Sequence, residues 1–142
     1  MENLTEQFPV VLSQDLIWRD MDAFQHINNA VYFRYFEDVR IAYFRKVKIL
    51  EYMEKTQIGP ILASTQCNFR APLTFPDTIR IGTLVEDIKS KTFNMKYVVY
   101  SEGLKKVVAD GEGLIVYYDY QREKSCEIPE QVLAAINTLQ SI

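Results

Sequence analysis

The periodicity of the chain changes between its first and second halves, and that change restricts the fold more than any other feature. Between about Ala30 and Val47, Tyr32, Phe36, Val39 and Tyr43 recur at spacings of four, three and four. Arg34, Glu37, Asp38 and Arg45 cover much of the opposite side, so the segment is one amphipathic helix. Asn28 and Asn29 stand at its start, where an Asn side-chain oxygen accepts from a backbone N–H that has no helical partner. From Ile61 onward the period is two. Ile61, Ala63, Thr65, Cys67 and Phe69 alternate with polar residues; Ile79, Ile81, Thr83 and Val85 do the same, as do Phe93, Met95, Tyr97 and Val99. Each run predicts a strand.

Punctuation agrees with this division. Pro72 and Pro76 mark a loop, and Lys89-Ser90-Lys91 and Ser101-Glu102-Gly103 mark turns. A long strand follows from Lys106 to Tyr120, with Gly111 and Gly113 inside it, where glycine signals a bulge or a close approach by another group. Phe8 to Trp18 reads as a first strand, and Pro129 opens a short C-terminal helix carrying Val132, Ile136 and Leu139 on one face. The predicted order is strand, long helix, four strands in antiparallel succession, short helix. That is an α+β domain spanning residues 1–142, with the helix packed on one face of an antiparallel sheet. The other face and the strand edges are left open, which predicts a homo-oligomer.

Charge and composition remove several classes. A net charge of −3 argues against nucleic-acid binding. Glu2 and Glu6 near the start, with no long apolar run, argue against a secretory leader or a membrane span. Cys67 and Cys126 lack metal-ligand spacing and read as free thiols of a reducing, cytoplasmic compartment. With one histidine and no ligand cluster, no metal or other cofactor is expected.

The chemistry concentrates between Trp18 and Tyr32, where a strand ends, Asp20, Asp22 and His26 follow, and a helix begins. Free N–H groups at a helix start can hold a developing oxyanion, and a carboxylate just upstream can attack a carbonyl or activate water. An Asp-rich turn that merely caps a helix has the same appearance.

This stretch resembles the active-site segment of the hotdog-fold thioesterases, the 4-hydroxybenzoyl-CoA thioesterase type and its acyl-CoA relatives. Those enzymes carry an Asp-x-Asp pair, a short loop and a Tyr three residues into the helix. Cys67 to Leu73, with Pro76-Asp77 just after, resembles the family's second strand and following turn. The resemblance implies an antiparallel sheet wrapped around a central helix, an acyl-CoA substrate with no separate cofactor, and a site between subunits of a homodimer or homotetramer. It puts the catalytic carboxylate on Asp22 and the oxyanion hole on the N–H of Asn29. His26 is either a substrate-carbonyl ligand or a polar residue fixing the loop; Asp20 is read as orienting that loop.

Candidate substrate contacts are Asn28, Tyr32 and Phe69, with Arg70, Lys89 and Lys91 facing coenzyme A phosphates. Tyr35, Tyr43, Phe69 and Met95 are candidate walls of an acyl channel between helix and sheet. The run from Asp22 to Tyr32 is also similar to acyl-ACP thioesterases, but Phe24 replaces their Asn. An acyl-ACP thioesterase, a non-catalytic acyl-thioester-binding protein and an enoyl-thioester hydratase therefore stay open as alternatives.

Overall fold

The computed structural model describes residues 4–141. In chain order the elements are α1 (Leu4–Gln7), β1 (Val10–Asp15), a single 3-10 turn at Trp18–Asp20, α2 (Asn29–Lys46) and α3 (Ile49–Thr56). They continue with β2 (Ile58–Phe69), β3 (Thr78–Glu86), β4 (Thr92–Ser101), β5 (Lys106–Asp119), β6 (Lys124–Ser125) and α4 (Glu130–Gln140). All strand pairs are antiparallel, in the order β1-β3-β4-β5-β2, with the two-residue β6 on β5. The architecture is the expected α+β arrangement, a curled sheet holding α2 against its inner face.

Several expectations need correction. The first strand is shorter than Phe8 to Trp18 because Trp18–Asp20 turns into 3-10 geometry. The four later strands do not pair in succession: β2 lies at the far edge beside β5, so the chain crosses the sheet before β3. Pro129 caps α4 from just outside rather than starting its first turn. Helices α1 and α3 and strand β6 are additions, all short and none with a long apolar stripe.

Burial follows the alternation in β4. Phe93, Met95, Tyr97 and Val99 enter the main core under α2, while Val98 and Tyr100 point the other way and pack with Leu4. The outer face is therefore partly covered: Leu4 is fully buried there, and the ring of Phe8 lies over Gly82. At the other end, the amide of Gln140 pairs with both backbone groups of Val85 (2.8 and 2.6 Å) and accepts from the Tyr43 hydroxyl, tying α4 to β3 and α2.

The two glycines of β5 mark close approaches, as expected. A Cβ at Gly111 would lie 2.6 Å from the Phe36 ring and 2.2 Å from the Gln66 carbonyl oxygen. One at Gly113 would meet Leu62 at 2.9 Å and the Tyr97 hydroxyl at 3.1 Å. Phe36 in turn stacks on Tyr97, with ring centroids 4.6 Å apart. Overpacking a core commonly costs about 1–3 kcal/mol. Gly111→Ala, which meets a backbone atom and an anchored ring together, should lower the unfolding free energy by ~3 kcal/mol. A urea midpoint unchanged by this substitution would contradict the close seating of α2 on β5.

Candidate active site

The loop between the 3-10 turn and α2 is built by its own backbone. Met21 and Ile27 form an antiparallel bridge, Asp22 N–H donates to the His26 carbonyl (2.9 Å), and Gln25 N–H donates to the Asp22 carbonyl (3.0 Å). Gln25 takes a positive φ of 67° at the tip. Two further bonds hold the loop: Ile27 N–H to the Leu73 carbonyl and Asn28 N–H to the Asp20 carbonyl, both 2.9 Å. The Asp20 carboxylate accepts from Arg34 on α2 at 2.6 Å, so Asp20 orients the loop as the sequence suggests.

Asn28 is the helix cap. Its Oδ1 accepts from Ala30 N–H at 3.0 Å, and Asn28 is not among the residues lining the cleft beside it, so the expected substrate contact is not seen there. The next N–H, that of Asn29, has no acceptor among the described residues. Asn29 is one of the residues lining a cleft of about 350 Å³, with Asp22, Phe24, His26, Ile27, Tyr32 and the stretch from Phe69 to Pro72. One carboxylate oxygen of Asp22 accepts from Phe24 N–H at 2.9 Å; its other oxygen has no partner among the described residues. A tethered carboxylate, a free helix-start N–H and an imidazole thus converge on one opening. Such a set can hold an oxyanion and deliver a nucleophile.

Tyr32 closes the inner wall, 2% exposed, its ring edge-on to Phe69 at 5.1 Å. Burial, with the Cys67 thiol beside it, pushes its hydroxyl up to about 12, so Tyr32 is a neutral phenol across the range in which proteins work. Phe24 was not anticipated as a lining residue. It is 80% exposed at the lip, and its only sequence signal is an aromatic residue inside a polar turn.

Comparison with known proteins decides the family. Residues 16–136 match the profile of the thioesterase-like superfamily. The chain belongs to that superfamily. It is 25% identical over 105 residues to the long-chain acyl-CoA thioesterase FadM of Escherichia coli, covering 74% of this chain and 80% of FadM. A thioesterase of Thermus thermophilus, solved with coenzyme A and zinc, superposes with a TM-score of 0.83 at 26% identity, covering 96% and 98% of the two chains. A 1,4-dihydroxy-2-naphthoyl-CoA thioesterase of Synechocystis shares the fold at TM-score 0.82 and 12% identity, covering 94% and 98%. The protein is a hotdog-fold thioester hydrolase.

Three expectations about this thioesterase's substrate contacts meet different fates. Arg70 borders the cleft, but its guanidinium is engaged twice by Asp110 (2.8 and 3.2 Å), which also accepts from Asn68. The guanidinium holds the Asp110 carboxyl below the usual carboxylate range. Lys89 and Lys91 sit in the β3–β4 connection, where Tyr117 N–H donates to the Lys91 carbonyl. Tyr117 stands eight positions along β5 from Ala109, the partner of Phe69, a rise of at most roughly 27 Å, so these lysines lie at the far end of the sheet from their own protomer's cleft. The channel between helix and sheet is filled: Tyr35, Tyr43 and Met95 are at most 3% exposed and form packed core. Of the expected walls only Phe69 borders the cleft.

Loss of an N-cap costs typically ~1 kcal/mol. Asn28→Ala should reduce the denaturant midpoint accordingly, whereas Asn28→Asp should retain it. Equal stability of wild type and Asn28→Ala would remove Asn28 as the anchor of the helix start.

Proposed function

We propose that this thioesterase hydrolyses acyl-coenzyme A thioesters, with Asp22 as the catalytic carboxylate and the N–H of Asn29 as oxyanion donor. The observation behind the reading is that Asp22 and Asn29 line one cleft, and that one Asp22 carboxylate oxygen and the Asn29 N–H have no partner among the described residues. FadM's activity on long-chain acyl-CoA and the coenzyme A in the Thermus structure support the carrier. The carbonyl oxygen of the substrate accepts from Asn29, and negative charge growing there is met by the positive end of α2. Asp22 then either attacks the carbonyl carbon, giving an anhydride that water cleaves, or takes a proton from an attacking water. Each route yields a free acid and coenzyme A. His26, exposed on the cleft wall, is placed to hydrogen-bond the thioester, and Tyr32 and Phe69 bound the acyl side.

A second copy of the chain belongs to this reading. Strand β2 is twelve residues long, pairs on one side only, and is exposed on both faces from Leu62 through Gln66. Such an edge is a template for another strand. A homodimer formed there roofs the cleft, and a tetramer follows if dimers pair again. The partner's Lys89 and Lys91 are then the lysines available for coenzyme A phosphates. The two free thiols suit a cytoplasmic enzyme.

General acid–base assistance is worth about 10²–10⁴ in rate. Asp22→Asn should therefore lower kcat on the best substrate of an acyl-CoA panel by at least about a hundredfold, read as thiol release. Wild-type turnover that survives the substitution would remove Asp22 from the chemistry. In single turnover in ¹⁸O water, label entering Asp22 marks carboxylate attack with water opening the anhydride at Asp22.

A further inference from the structure

Phe24 stands beside the tip of the loop that carries Asp22 and is 80% exposed. Its backbone is held from both sides. Phe24 N–H donates to the Asp22 carboxylate at 2.9 Å, Gln25 N–H donates to the Asp22 carbonyl, and Gln25 turns the chain with its positive φ. Behind them, Thr74 Oγ1 donates to the Gln25 carbonyl at 3.4 Å and Ile27 N–H to the Leu73 carbonyl at 2.9 Å. The Phe24 ring pairs with no other ring among the described residues. A fixed backbone thus presents a bare phenyl group.

Single exposed apolar side chains are ordinary on a protein surface, so position has to distinguish this one. Of the large apolar side chains exposed among the described residues, Phe24 and Phe69 are the two that line the cleft with Asp22, His26 and Asn29. Phe69 is already engaged, edge-on to Tyr32, whereas Phe24 is not. The N–H bonded to Asp22 belongs to Phe24 itself, so bond lengths hold the ring centre at most roughly 9 Å from that carboxylate oxygen. This is the range of the first carbons of an acyl group whose carbonyl lies against Asp22.

The two sides of a thioester differ in chemistry. Pantetheine carries amides, which need donors and acceptors when they leave water, while the first acyl carbons need none. Phe24, Ile27, Tyr32 and Phe69 give the cleft apolar surface, and burying such surface against an acyl group is favourable. Beneath the cleft the interior is full: Tyr32, Tyr35 and Phe36 are at most 3% exposed. Bulk beside the carbonyl is therefore met at the cleft wall.

We propose that Phe24 is a specificity-determining residue that covers the first carbons of the acyl group and favours apolar bulk, a ring or a branch, beside the carbonyl. The inference rests on the hydrolytic reading above and adds to it the part of the substrate that is read. Phe24 moves no proton and meets no charge. Its contribution is apolar burial, which grows with the acyl surface within its reach and is smallest for a methyl group. Truncating the ring leaves the backbone tether on Asp22 in place.

Acetyl-, isobutyryl- and benzoyl-CoA present a methyl group, a branch and a ring beside the carbonyl. Wild type should prefer benzoyl-CoA to acetyl-CoA in kcat/KM. Phe24→Ala should lower that ratio by about tenfold, with isobutyryl-CoA between, and Phe24→Leu should keep part of it. A wild type that favours acetyl-CoA, or a ratio unchanged in Phe24→Ala, would overturn the proposal. An equal loss on all three substrates would also do so, because it puts the ring on the pantetheine side. So would a shifted pH profile in Phe24→Ala, which marks a disturbed Asp22, or a drop in its molar mass by light scattering, which marks a contact between copies. Calorimetry with the non-hydrolysable thioether analogues of acetyl- and benzoyl-CoA separates the two readings. A Phe24-dependent preference for the benzoyl analogue without turnover of any thioester would sink the hydrolytic reading and keep this one; turnover with an unchanged ratio would do the reverse.

Discussion

The seating of Phe36 over Gly111 is the contact from which the rest of the molecule takes its measure. With no Cβ at Gly111, α2 comes close enough to β5 for the Phe36 ring to stack on Tyr97. That single height fixes the helix along its length. One turn toward the N-terminus, Tyr32 meets Phe69 and closes the cleft; one turn toward the C-terminus, Arg40 reaches the Tyr97 hydroxyl. A lifted helix would open the core and also move the N–H of Asn29 away from the loop that carries Asp22. Stability and the geometry of the candidate site therefore share one constraint.

The sequence made α2 legible because its stripe is long and its cap is an Asn; the observed helix starts one residue before the expected Ala30 and ends one before Val47. The strands were legible from their alternation, but alternation says which residues share a face and nothing about which strand lies alongside. The crossing from β2 to β3 therefore went unread, as did the exposure of β2 on both faces. Helix α3 has eight residues between two positive-φ positions, Lys48 and Gln57, too short for periodicity to stand out. In the candidate site, the Asp22-to-Tyr32 run pointed to a loop that lines the cleft because loop, cap and helix start are contiguous. The lysines of the β3–β4 turn carried no such local information, and strand length alone puts them at the far end of the sheet.

Arg40 shows the limit of that reading from the other side. In the sequence it is one more basic residue on the charged flank of an amphipathic helix, three places after a glutamate. Only the packing reveals that it is buried and turned toward a tyrosine instead of the glutamate. The expected acyl channel failed for the same reason: aromatic residues on the apolar stripe look alike whether they fill a core or line a passage. Tyr35 and Tyr43 fill it.

An unpartnered polar group is not by itself a functional group, and this protein contains the control. The hydroxyls of Tyr35 and Tyr117 are buried without a partner among the described residues, and both lie in packed core. Asn29 N–H and the second oxygen of Asp22 also lack partners among the described residues, but their residues line an open cleft and sit beside satisfied neighbours: Asn28 on Ala30, Asp20 on Arg34, Ile27 on Leu73. A tyrosine hydroxyl left alone in a core carries a modest desolvation cost and no charge. What separates Asp22 from the two tyrosines is the combination of formal charge with exposure at the cleft, while Asp20, the other carboxylate of its loop, is paired with Arg34.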